Sequence, residues 1–155
     1  LLDTETYGEL HDRLAKQGAT LLIKTIEQVV NGKVSRQPQD KAGVTFAPRL
    51  AKETGKINWY ESATNIVNLI RGLSPAPAAY TFLDGQPLKI FTASPLNAAI
   101  IQQPGTIGVS STSGLPVAAS DGYVILKDVQ LTGKKRMPIA DFLRGYRLLP
   151  GNILG

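Results

Sequence analysis

Two kinds of hydrophobic spacing divide the chain. Over residues 6–31 apolar positions recur at helical intervals. Tyr7, Leu10 and Leu14 form one stripe, and Leu22, Ile26, Val29 and Val30 form a second. Thr6 with Glu9 makes a capping box at the start, and Asn31-Gly32 is a stop signal at the end. Gly18 lies between the stripes and predicts a division into two helices. Two amphipathic helices with no strand nearby need another body to pack on. With Leu1 in place of an initiating Met, this reads as the cut end of a longer protein.

A second unit opens at Ile57-Asn58-Trp59. Ser62 is a plausible N-cap, and Ile66, Leu69, Ile70 and Leu73 then follow at i, i+3, i+4 and i+7, one buried helical face. Pro75 and Pro77 end that helix. The period then changes to two. Tyr80–Leu83 and Leu88–Ala93 flank the hairpin turn Asp84-Gly85. Thr106–Val109, Leu115–Ser120 and Tyr123–Val129 are further strands, the last two joined at Asp121-Gly122. Met137–Arg144 reads as a short helix with Pro138 in its first turn. Small antiparallel sheets remove exposed edges by closing. The expected fold is therefore mainly β with flanking helices: a five- to six-stranded barrel of oligonucleotide-binding type.

Between these units, residues 32–56 are punctuated by Gly32, Pro38, Gly43, Pro48 and Gly55 and read as an extended basic linker, with one short ordered piece at Val44–Ala47. The expected organisation is terminal helices over 1–31, linker over 32–56 and barrel over 57–155.

Charge sharpens this division. Residues 1–31 carry five acidic against three basic side chains, whereas the remainder carries fourteen basic against seven acidic, so the net charge of +5 belongs to the linker and C-terminal unit. That asymmetry suits an anionic partner, and a nucleic-acid backbone is the obvious large one. The tightest group is Gly133-Lys134-Lys135-Arg136, three cations on a Gly-led turn, which is too costly to bury. Arg144 and Arg147 follow, and Arg49 and Lys52 lie three apart, so they share a face if that stretch coils. Arg71, at the end of its helix, has a dipole role instead. The aromatics Tyr80, Phe82, Phe91, Tyr123 and Phe142 can stack bases in principle, but their strand and helix positions predict that most are core.

Catalytic chemistry finds little support. The chain has no cysteine, which excludes disulfides and thiolate sites and suits a reducing compartment. His11 is the single histidine, beside an apolar stripe, with no partner at metal-ligand spacing. Glu5 and Glu9 sit where a helix start favours acids. Gly105-Thr106-Ile107-Gly108 has no helix after it to make a phosphate loop, and Ser110–Ser113 is a polar turn. No apolar run reaches membrane-spanning length.

The ordered motifs Gly18-Ala19-x-Leu21-Leu22, Thr45-Phe46-Ala47-Pro48-Arg49-Leu50-x-Lys52-Glu53, Ile57-Asn58-Trp59, Ile70-Arg71-Gly72-Leu73-x-Pro75, Gly85-Gln86-Pro87-Leu88-Lys89-Ile90, Pro104-Gly105-Thr106 and Gly133-Lys134-Lys135-Arg136-Met137 resemble the C-terminal half of the methionyl-tRNA formyltransferase family. Each is weak alone, and the ordered set is specific. Asn58 departs from the aspartate common in the family.

The resemblance implies that the full enzyme formylates methionine on initiator tRNA, with 10-formyltetrahydrofolate as co-substrate. Its doubly wound catalytic domain would lie upstream of Leu1, and the first two helices here would be the end of that α/β domain. This chain would then hold no catalytic, cofactor or metal residue of its own. Arg49 and Lys52 would match the family's basic linker pair and Lys134, Lys135 and Arg136 its basic barrel loop; with the cations Lys89, Arg144 and Arg147 they make up the expected tRNA-contacting set. A cytoplasmic monomer is expected. The competing readings are the C-terminal domain of another formyltetrahydrofolate-dependent enzyme, a hydrolase or sugar formyltransferase, and a purely structural accessory domain.

Overall fold

A computed structural model describes Leu2 and residues 4–155. Helix α1 spans Tyr7–Val30 as one continuous rod, and the capping box is present at Thr6 and Glu9. The expected division at Gly18 does not occur. A lone glycine costs a helix about 1 kcal/mol relative to alanine, but it neither removes a hydrogen bond nor clashes as proline does. Asn31 ends the helix, and Gly32 follows at φ 66°.

Residues 32–51 are exposed throughout. The expected ordered piece at Val44–Ala47 has no regular structure. Two short 3-10 turns form instead, at Lys41–Gly43 and Lys52–Gly55. The first is started by Asp40, whose carboxylate accepts from the Ala42 N–H.

From Ile57 onward the chain builds one core. Helix α2 (Ala63–Leu73) is capped by the Ser62 hydroxyl on the Asn65 N–H, and it buries Ile66, Ile70 and Leu73. Strands β1 (Ala79–Leu83), β2 (Gln86–Leu96), β3 (Leu115–Ala118), β4 (Tyr123–Leu131) and β5 (Met137–Pro138) form an antiparallel sheet in the order β1-β2-β4-β3, with β5 also on β4. Leu88, Ile90, Val124, Leu126 and Val129 are fully buried on the face toward α2. The β1–β2 turn is the expected Asp84-Gly85, both residues at positive φ (49° and 74°), which matches the twist of the strands it joins. Trp59 anchors the chain entering this unit, donating from its indole to the buried Thr81 hydroxyl at 3.1 Å.

The sheet is open and does not close into the expected barrel. The segment read as a strand at Thr106–Val109 makes only isolated bridges, Ile107 to Val117 and Thr106 to Ile153. Gly105 sits at φ 89°, and a Cβ there would come within 2.8 Å of the Leu154 carbonyl. The edge of β3 is covered instead by residues 105–108, and these in turn by the C-terminal tail. The Ile107 N–H donates to the Asn152 carbonyl and the Leu154 N–H to the Gly105 carbonyl, with Leu154 buried. A layered tail thus handles the edge that closure would have removed. The last helix, α3 (Ile139–Gly145), starts two residues later than expected, because Met137 and Pro138 pair with Val129 and Asp128. Its Ile139 and Phe142 close the lower end of the core.

Candidate functional site: a basic and aromatic sheet face

Strand alternation places a separate set of side chains on the face of the sheet away from the core. The registers Lys56 with Tyr80, Tyr80 with Lys89, and Lys89 with Gln130 align four neighbouring backbones. Opposed residues of paired strands share a face. Lys56, Tyr80, Lys89 and Gln130 therefore form one transverse row, about 14 Å long at ordinary strand spacing. The Gln130 side-chain amide donates to the Lys134 carbonyl at 2.9 Å, which ties the basic turn to the end of the row. That turn is set by Gly133 at φ 77° and by the Lys134 N–H on the Leu131 carbonyl.

Phe82 lies two residues along β1 from Tyr80, its ring edge-on to the tyrosine at 5.7 Å, with the Lys56 ammonium 5.6 Å from its centre. On the other side a bulge in β2 turns out Phe91, which the Arg136 guanidinium covers at 4.3 Å while also pairing with Asp128. Behind Phe91 is a cavity of about 460 Å³ between α2 and the bulge, whose lining includes Thr6, Asn68, Arg71, Thr92 and Lys127.

The structure gathers some of the expected site residues and separates others. Lys89 stands in the row, and the exposed turn that carries Lys134 and Lys135 is tied to the end of the row through Gln130, whereas Arg136 lies over Phe91 beside the α2 cavity. Among the described residues, Lys134 and Lys135 make no ion pair, so their charge is open to solvent. Arg136 is held in place by Asp128 and Phe91. Arg144 pairs with Asp141 on α3, Arg147 follows α3 exposed, and among the described residues neither has an ion pair or hydrogen bond to the row. Lys52 opens the turn that leads into Lys56, while Arg49 lies ahead of that turn, so the two share no helical face.

Lys56 and Tyr80 are the members that sequence reading assigned elsewhere, one to the linker and the other to the core. The alternation of exposed Lys56 and Asn58 with buried Ile57 and Trp59 was the available signal for an extended segment. Of the aromatics expected in the core, Phe91 and Phe142 are buried, whereas Tyr80, Phe82 and Tyr123 are only half-buried.

His11 lies exposed on α1 beside Asp12, and among the described residues no group of three His, Asp or Glu side chains is placed to hold a metal. The start of α1 is nevertheless well tied. Glu5 accepts two bonds from Arg13 at 2.7 and 2.8 Å, and this pairing lowers its carboxyl pKa to about 2. Arg71 donates to the Leu2 carbonyl at 3.0 Å, and the Gly8 N–H reaches the Ser74 carbonyl at 3.0 Å. At the opposite end of the sheet the Tyr146 hydroxyl donates to Asp84 at 2.7 Å, which raises the phenol pKa.

Residues 49–147 match the formyl transferase C-terminal domain family. The chain belongs to that family. Among its relatives are the methionyl-tRNA formyltransferases of Syntrophus aciditrophicus, 47% identical over 151 residues (97% of this chain and 48% of that protein), and of Moorella thermoacetica, 43% identical over 150 residues (97% and 48%). The chain spans about half the length of the curated relatives it matches. Similar solved structures include a variant of HypX from Aquifex aeolicus, with a TM-score of 0.70 at 14% identity over 92% of this chain and 26% of that one. Another is WlaRD, a sugar 3N-formyl transferase, with a TM-score of 0.57 at 19% identity over 86% of this chain and 47% of that one. These two likenesses are of fold alone. Among the described residues, no helix is long and apolar enough to cross a membrane.

Proposed function

We propose that this chain is the tRNA-binding C-terminal region of a methionyl-tRNA formyltransferase acting in the cytoplasm. The parent enzyme would transfer a formyl group from 10-formyltetrahydrofolate to the methionine of initiator tRNA. The observation that carries the RNA-binding part is the pair Lys56 and Lys89 in one row across the sheet, with the exposed basic turn of Lys134 and Lys135 tied to the end of that row by Gln130. Long ammonium chains standing in a row suit a phosphate backbone, whose neutralisation releases counterions. Such contacts position the RNA and carry little sequence information.

On this reading α1 is the end of the catalytic domain. Its apolar stripe, with Leu22 60% and Ile26 53% exposed, would be covered by the upstream half of the parent. Residues 32–56 would be the linker and 57–155 the RNA-binding unit, working as a monomer. The fold is shared with a sugar formyltransferase and does not select the acceptor. The 47% identity to a methionyl-tRNA formyltransferase supports the tRNA.

The test is titration of the 155-residue chain with initiator tRNA across a salt series. Binding is expected to be weak and steeply salt-sensitive. Replacing Lys89, Lys134 and Lys135 together by Ala should flatten the slope of log affinity against log salt by about two to three, at roughly 0.9 per duplex phosphate contact and less for single strands. An unchanged slope removes these lysines from the interface, and no binding at low salt favours a purely structural role.

A further inference from the structure

We propose that the same sheet face also holds an unpaired nucleotide, with its base stacked on Tyr80 and its flanking phosphates met by Lys56 and Lys89. This rests on the RNA-binding reading and adds a distinct element to it, a contact with a base.

Tyr80 and Phe82 stand half-buried on this face, and a third ring, Phe91, is buried at the bulge. Two are already occupied by cations of this chain, Phe82 by Lys56 and Phe91 by Arg136. Tyr80 is not. Among the described residues its hydroxyl has no hydrogen-bond partner, so burial of a polar tip does not account for a tyrosine here.

The ring is nonetheless held. Phe82 meets it edge-on at an interplanar angle of 82°. Gly55 backs it closely: a Cβ at that glycine would lie 3.4 Å from the Tyr80 ring and 3.0 Å from the Ala78 carbonyl. A half-exposed aromatic plate held by such neighbours loses little side-chain entropy when a base stacks on it.

The flanking cations complete the site. Lys56 and Lys89 are the backbone partners of Tyr80 on its two sides, so they stand about 10 Å apart across the ring at strand spacing. That distance suits the phosphates before and after one splayed nucleotide, while a continuous duplex offers no base face to the ring. Stacking on a ring is tolerant of base identity, so the site would favour single-stranded RNA without reading its sequence.

The experiment compares three probes on the 155-residue chain at fixed salt: a twelve-nucleotide oligoadenylate, an abasic ribose-phosphate strand of equal length, and a blunt twelve-base-pair RNA duplex. The native chain should bind oligoadenylate about tenfold more tightly than the abasic strand. Tyr80→Leu should bring that ratio close to one while leaving the duplex affinity and its salt slope unchanged, and Tyr80→Phe should retain the ratio. A native ratio of one, or a ratio unaffected by Tyr80→Leu, overturns the stacking site while leaving phosphate binding intact. Failure of all three probes to bind overturns the RNA-binding reading and this inference together.

Discussion

Helices α1 and α2 carry the same kind of message and meet opposite fates. Both are capped as their sequences predict, by Thr6 with Glu9 and by Ser62 on Asn65, and both present an apolar stripe at helical spacing. In α2 the stripe is buried: Ile70 is 1% exposed, against β2 and its neighbours. In α1 no residue is fully buried, and Val30 is 79% exposed. Amphipathic spacing thus specifies a helix and the face that needs a partner. It does not specify whether that partner belongs to the same stretch of chain.

The largest expected difference between the two helices lies in truncation of the stripe. Ile70→Ala should lower unfolding free energy by about 2–5 kcal/mol through lost burial and a residual cavity. Ile26→Ala should change it by no more than about 0.5 kcal/mol, as at other exposed positions. Urea denaturation followed by Trp59 fluorescence measures both. An equal loss at Ile26 breaks the comparison, because it requires α1 to be covered in solution.

Next in size is the removal of the caps. Ser62→Ala should cost about 1 kcal/mol of global stability, since α2 unfolds with the core. Thr6→Ala removes a similar local contribution, but from a helix whose far end is exposed. Its effect should appear as faster amide exchange in the first turns of α1, with little change in the unfolding midpoint of the sheet.

The smallest effect concerns the tie at the start of α1. With its pKa held near 2 by Arg13, against an ordinary 4.5, the Glu5 carboxylate gains its partner only when ionised. The anchoring it contributes is complete above about pH 4.5 and is lost as pH falls through about 2. Carboxyl NMR should give a Glu5 midpoint near 2, and Arg13→Gln should move it toward 4.5. A midpoint near 4.5 in the native chain would show that the bidentate pair does not persist in solution.

Local signals were legible in the sequence wherever a residue acts on its immediate neighbours. Asp84-Gly85 made its turn, Asn31-Gly32 ended α1, Ser62 started α2, and β1, β2 and β4 followed the period-two runs. Elements that depend on distant partners were less legible. Ile107 looked like part of a strand because it is apolar and alternates, yet its hydrogen bonds go to a tail forty-five residues later, at Asn152. Met137 and Pro138 looked helical because they adjoin a helix, but pairing with β4 claimed them first. At the candidate site, the basic turn at Lys134 to Arg136 was visible as a cluster. Its connection to Lys89 was not, because Gln130 makes that link across two strands.

The sequence by itself determined the caps of α1 and α2, the hairpin turn between β1 and β2, the basic bias after residue 31 and the family to which the chain belongs. These depend on spacing, turn chemistry and residue order, all written along the chain. Only the tertiary structure decided that the sheet stays open, that Arg136 is held by Asp128 and Phe91 while Lys134 and Lys135 face water, and that Lys56 stands beside Tyr80. Pairing between strands converts positions far apart in sequence into neighbours about 5 Å apart, and a side chain's charge or ring becomes usable only once those neighbours are fixed.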